Sequence, residues 1–251
     1  LLASLICGVM GTMVVVNRIV FLSGGIAHAA FGGIGLAFFF GWHYLVGTIG
    51  FSVAAALVMA IITLKAKHRV DTIIGVIWAI GMAVGILLLD LTPGYNVDLM
   101  SYLFGSLLTV PDSDLWIMVA MGAVILAVVI YFYHDYLALS YDEEFAQIRG
   151  VRVKSLYILM IVMLALGIVM VIQVVGLILV IALLTIPPYI AEKFSKSLFQ
   201  MMVISTLLSA FFTVNGLWFS YEFNLSSGAS IILVAGIGFL ISLGAERLLP
   251  G

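Results

Sequence analysis

Charge is what this sequence has least of. Only 9% of its residues are Asp, Glu, Lys or Arg, while 65% are hydrophobic. A soluble domain carries roughly 25% charged residues, so water is excluded as the main solvent for this surface. The formal net charge of -2 excludes the strongly basic face that a nucleic-acid partner requires. A single cysteine, Cys7, excludes an internal disulfide framework and a cysteine-built metal cluster; it reads as a small buried apolar side chain. Catalytic signatures are missing as well: there is no Walker A motif, no nucleophile elbow and no His-Glu-x-x-His. The chain is therefore read as no enzyme, and if ATP drives it, another chain must bind the nucleotide.

Cations are also absent from every second gap between the apolar runs. Arg18, then Lys65, Lys67 and Arg69, then Arg149, Arg152 and Lys154, then Lys193 and Lys196, and finally Arg247 occupy alternate gaps. The gaps between them hold Asp90, Asp98, Asp112, Asp114 and Glu222 and no Lys or Arg. A polytopic membrane protein with its basic loops in the cytoplasm has this pattern. The spacing predicts an all-α bundle of about 8–9 spans, at 1–16, 24–41, 45–64, 72–90, 115–133, 155–172, 174–190, 198–216 and 228–245. Each is near the ~17–25 residues a bilayer crossing needs. Loop charge reads 155–190 as a hairpin breaking near Gln173; one long tilted helix is the alternative, and it would place Lys193 and Lys196 outside. With no linker or composition shift, residues 1–251 read as one transmembrane domain in a cell membrane. The apolar start, without Met or a charged leader, reads as a chain trimmed at its N-terminus rather than a signal peptide.

What is present is glycine, and it clusters. Gly25, Ala29 and Gly33 fall at i, i+4 and i+8 of the second span, a small-residue stripe that admits a neighbouring helix closely. His28 stands inside this cluster and is the one ionisable side chain within the body of a span. Such a residue usually faces the protein interior or a wet cavity, and imidazole suits divalent transition metals. A plain hydrogen bond from the ring to a backbone carbonyl is the competing reading, since no second His or Cys follows at i+3 or i+4. Asp90, Asp98 and Glu222 lie near outer span ends, where they either attract a cation to an entrance or simply solvate the loops. Pro187 and Pro188 are expected to end a span at the inner face. Glu192, Lys193, Phe194 and Lys196 then form a short amphipathic stretch, either a docking element or an ordinary turn. The segment from Asp142 to Gly150 reads as a short inner helix, with Glu143 in its first turn and Arg149 in its last. Asp71 and Thr72 look like the N-cap of the fourth span.

The run from Asn17 to Ala30, NRIVFLSGGIAHAA, resembles the opening motif of the metal-transporting ABC permeases of the ABC-3 family. Three further stretches are similar to that family in the same order: Asp71-Thr72-Ile73-Ile74-Gly75, Tyr102-Leu103-Phe104-Gly105-Ser106, and Val175 to Val180 followed by Ile186-Pro187-Pro188. The resemblance implies a type II importer-like permease for zinc, manganese or iron that works by alternating access. It implies a second copy of the chain, separate cytoplasmic ATP-binding subunits and an extracytoplasmic metal-binding protein. It implies no cofactor held by this chain, the metal ion being cargo. On the same resemblance His28 matches the family's path histidine, the residues after Pro188 its coupling helix, and 142–150 a second inner contact. Gly24 departs from the pattern: many members carry Asp there, four residues before the histidine, so the ligand set stays open. A permease for siderophore or cobalamin, and a stand-alone metal transporter or channel, are the alternatives.

Overall fold

The computed structural model describes residues 1–65, 69–92, 105, 110 and 112–248, without the side chains of 113 and 246–248. Every regular element among these residues is helical: α1 Leu2–Val16, α2 Val20–Phe40, α3 Tyr44–Lys65, α4 Val70–Asp90, α5 Asp112–Tyr131, α6 Tyr133–Tyr141, α7 Glu143–Ile148, α8 Val153–Val175, α9 Leu177–Phe194, α10 Leu198–Phe223 and α11 Ser227–Leu248. Eight of them are long and apolar enough to cross a membrane, and α1 is a shorter apolar helix of 15 residues. The chain is a multi-pass membrane protein. Leu207, Phe211, Val214 and Trp218 on α10, and Leu233, Ile237 and Leu240 on α11, are exposed at helical spacing. These apolar stripes suit lipid and would not suit water.

The helices form two compact units. The first comprises Leu1–Arg18, Met100–Ala123 and Val171–Gly251; the second comprises Ile19–Leu99 and Val124–Met170. In the second, α2 packs against both α3 and α4. Gly25 meets Ile74, and Gly35 meets the Gly85 peptide, so α2 and α4 run parallel; Gly33 meets Gly47, and Gly25 meets Met59, so α3 runs against them. The start of α2, Lys65 and Arg69 therefore share one end, and Trp42 and Asp90 the other.

In the first unit α1 lies antiparallel to α10. Ser4 and Thr213 share a hydrogen bond (3.3 Å between hydroxyls), and a Cβ at Gly8 would stand 2.6 Å from Thr206 Cα. Helix α11 returns along α10, with Gly216 against Ile231 and Gly238 against Phe212. This register puts the end of α1 beside the start of α10, so Arg18 and Lys196 lie at one end of that unit.

Four local features differ from the sequence expectations. The long apolar stretch breaks at Gly176 rather than Gln173, because glycine adopts the required φ of 83°. Gln173 stays within α8, its Nε2 sealed without a partner. Pro187 and Pro188 do not end a span: α9 passes through both and stops at Phe194, so no separate amphipathic helix follows them. Pro188 has no N–H for the Leu184 carbonyl. That oxygen instead faces Gly11 of α1, whose missing side chain would stand 2.7 Å away. Third, α4 begins at Val70 with Arg69 as its cap, which places Asp71 in the first turn. Fourth, the inner connection holds two helices, α6 and α7, where one was expected.

Candidate functional site

Helices α2 and α4 approach so closely because glycine lines both. A Cβ at Gly32 would stand 3.0 Å from the Gly81 carbonyl oxygen, and one at Gly81 would stand 2.9 Å from Ala29 Cα. At Gly35 and Gly85 an added carbon would collide with the opposing peptides of Gly85 and Phe31. The small stripe divides between two neighbours: Ala29 meets α4, Gly25 meets Ile74 of α4 and Met59 of α3, and Gly33 meets Gly47 and Thr48 of α3. Steps of four residues advance ~40° around a helix of 3.6 residues per turn, which turns Gly33 toward the next helix. Gly32, Gly35, Gly81 and Gly85 complete the seam.

His28 sits on this seam eight residues into α2, ~12 Å along it at 1.5 Å per residue. Its ring lies flat on Trp78 of α4, with centroids 4.0 Å apart and planes 11° apart. The Trp78 indole N–H donates to Met82 Sδ at 3.2 Å. Phe21 tilts against the same indole, 6.0 Å away at 50°. Nδ1 of His28 is closed off from solvent and has no hydrogen-bond partner. An unpaired buried polar atom costs about 1–3 kcal/mol, and Nδ1 carries that cost here. Gly24, one turn earlier on the same face, is buried yet has nothing within 4 Å of where a Cβ would point. The seam thus leaves room at Gly24, one turn from the histidine. Ser52 of α3 contributes a sealed hydroxyl without a partner in this unit.

Among the described residues no three His, Cys, Asp or Glu side chains converge into a metal cluster. Asp90 is exposed at the end of α4, twelve residues beyond Trp78 and so ~18 Å along the helix. Glu222 is exposed near the end of α10. Asp98 lies outside the described residues. The structure therefore does not bring Asp90 to His28. Trp78, Met82 and Phe21 escaped the sequence reading. A lone tryptophan in an apolar run carries no signal until the α2–α4 register places it against an imidazole.

At the end of the second unit that holds Lys65 and Arg69, α6 and α7 form a compact pair. Asp142 caps α7 by accepting from the Phe145 N–H at 2.9 Å. Gln147 donates to Glu143 across one turn at 3.3 Å, and the Arg149 guanidinium lies over the Phe145 ring at 5.7 Å. Gly150, at φ 82°, turns the chain toward α8. Phe145 and Ile148 are 49% and 84% exposed, an apolar display at a membrane edge. Between the two helices is a groove of about 630 Å³ lined by His134, Leu137, Tyr141, Asp142, Phe145 and Arg149. Burial pushes the Tyr136 phenol above its ordinary pKa, which keeps this anchor of α6 neutral. In the first unit, Lys193 lies 4.9 Å over the Tyr189 ring at the end of α9, and Phe194 is exposed.

Comparison with known proteins gives consistent matches along the whole chain. The family model described as the ABC 3 transport family matches residues 1–246. An uncharacterized membrane protein of Synechocystis sp. is 50% identical over 98% of this chain and 88% of its own length. The manganese transport system membrane protein MntC of Listeria monocytogenes is 33% identical over 95% of this chain and 85% of its own. Among solved structures, PsaBC from Streptococcus pneumoniae in complex with Fab superposes with a TM-score of 0.86 at 33% identity, covering 96% of this chain and 87% of that one. An inward-facing putative metal-chelate type ABC transporter matches with a TM-score of 0.76 at 18% identity, over 97% of this chain and 84% of that one, a likeness of fold alone.

Proposed function

Because the chain belongs to the ABC 3 transport family, we propose that it is the membrane-spanning permease subunit of an ATP-driven importer of a divalent transition metal. Several relatives are named for manganese or for metal transport, which puts manganese first among the ions to test, ahead of zinc and iron. The observation that carries the reading within this chain is His28: an imidazole on a glycine seam, with an unpartnered Nδ1, one turn from Gly24, where nothing lies within 4 Å of an added Cβ. Rings of this kind bind divalent transition ions. A siderophore or cobalamin would need a wider path than a chain this compact and glycine-packed supports. A stand-alone transporter would normally place several ionisable residues within the membrane.

The finer parts follow from that reading. Two copies of the chain frame the path. A separate cytoplasmic ATPase seats on the end of α9 and the turn after it, from Glu192 to Lys196, with α7 as a second contact. An extracytoplasmic protein hands over the ion near Asp90, Asp98 and Glu222. The protein sits in the cytoplasmic membrane with its cation-bearing ends inward. ATP binding biases alternating access only if the ATPase grips the two states differently; the exposed Phe145–Ile148 edge supplies a surface for such a grip.

Elemental analysis of cells with and without the gene tests the proposal. Loss of the gene lowers the cellular content of manganese, zinc or iron; the wild-type chain restores it and the His28→Ala chain does not. Unchanged content of all three ions on deletion overturns the proposal.

A further inference from the structure

We propose that Trp78 is a positioning residue for metal passage: it fixes the plane of the His28 imidazole and stabilises that ring when a cation draws electron density from it. The inference rests on the reading of His28 given above. Three observations carry it. The two rings are stacked, 4.0 Å apart and within 11° of parallel. The indole is itself held, by its N–H on Met82 Sδ at 3.2 Å and by Phe21 against it. The backbones of α2 and α4 meet at Gly32, Gly35, Gly81 and Gly85, so the gap the two rings fill is set by peptide contact.

The chemistry follows from geometry. A metal ion binds imidazole in the ring plane, along a nitrogen lone pair. A ring free to rotate about its side-chain bonds sweeps that lone pair through a cone. Trp78 closes one face of the ring and so restricts the approach to the ring edge. A bound divalent ion makes the imidazole electron-poor, and the electron-rich indole face attracts an electron-poor ring as it attracts a cation. The stack therefore strengthens as the ion arrives. The neutral Phe21 and Met82 leave the charge balance of the seam untouched, so what this cluster supplies is orientation and polarisability.

The test is tracer uptake by cells that carry the variant as their only copy, with manganese(II) and zinc(II) as probes and immunoblots to normalise for membrane content. Trp78→Leu removes the flat ring while keeping an apolar side chain. It should raise the KM for the transported ion roughly five- to thirty-fold, the range a desolvated ring–cation contact supports, and leave Vmax within about two-fold. Trp78→Phe keeps a flat ring and should restore KM to within about three-fold. In a His28→Ala background, Trp78→Leu should add nothing, because a residue acting through another loses its effect when that other is gone. An unchanged KM in Trp78→Leu beside an impaired His28→Ala overturns the positioning role and leaves the transport reading standing. Additive losses in the double variant also overturn it, by showing that Trp78 serves helix packing alone. Failure of the wild-type chain to take up either ion, with iron(II) uptake absent as well, removes both readings together. Should Trp78→Leu fail to reach the membrane, Met82→Leu, which frees the indole N–H, is the second variant. It should raise KM less than Trp78→Leu, and only while His28 is present; no change in KM overturns the proposal.

Discussion

Gly24 and Gly35 are both buried in α2, yet a methyl group added at each meets different surroundings. At Gly24 nothing lies within 4 Å of the new carbon, whereas at Gly35 it meets the Gly85 peptide. Alanine is favoured over glycine in a helix interior by about 1 kcal/mol, so Gly24→Ala should keep or raise the thermal midpoint of the detergent-purified protein. Gly35→Ala drives a carbon into backbone that has no rotamer to yield. An overpacking cost of roughly 1–3 kcal/mol is expected there, seen as a lower midpoint on a melting curve read by size-exclusion fluorescence. Equal midpoints for the two variants would show that peptide contact does not hold the seam. At this scale the glycine cluster was legible in the sequence, because small residues at i, i+4 and i+8 mark a face before any partner is known. Which partner each glycine meets was not legible, since that depends on helix register. The same holds for Trp78, whose position in its own helix says nothing about an imidazole fifty residues earlier.

Elements were legible wherever an apolar run was bounded by charge, and less so where the boundary was a matter of backbone chemistry. The break in the long stretch fell at Gly176 because a φ of 83° is cheap only for glycine; polarity had pointed to Gln173 instead. Pro187 and Pro188 remain within α9, and the Leu184 carbonyl that Pro188 leaves unbonded faces Gly11 of α1, a contact no local rule contains. The inner pair α6–α7 shows the reverse case: Asp142 and Glu143 announced the start of α7, and the Asp142 carboxylate does accept from Phe145, although the helix stops at Ile148 and leaves Arg149 as its C-cap rather than in its last turn. Losing such a cap costs about 1 kcal/mol. Asp142→Ala should therefore loosen α7 and uncouple the ATPase, lowering the metal ions moved per ATP hydrolysed in reconstituted vesicles, while Asp142→Asn retains the cap and the coupling. A coupling ratio unchanged in Asp142→Ala would remove α7 from the ATPase seat.

For the whole molecule the strongest legible signal was the alternation of charge, and the helix registers bear on it independently. Charge assigned Lys65 and Arg69 to one side and Asp90 to the other. The contacts of Gly25 with Ile74 and of Gly35 with Gly85 orient α2 and α4 alike, with α3 opposed, and so place the same residues at the same ends. In the other unit the pairing of Gly8 with Thr206 and of Gly216 with Ile231 sets Lys196 at one end and Glu222 at the other. Gly105 lies against the Val175–Gly176 peptide. On the proposed topology the cation-bearing ends face the same compartment. Cys7 is buried and free, so single cysteines can be added without an accessible background thiol. Cysteines replacing Lys65 and Lys196 should react with a membrane-impermeant maleimide only after the membrane is opened. Those replacing Asp90 and Glu222 should react in intact cells. Labelling of Lys65→Cys and Lys196→Cys from opposite sides would break the alternation. It would detach the ATPase seat from the end of α9 and from α7, and leave the family's mode of coupling without a place in this chain.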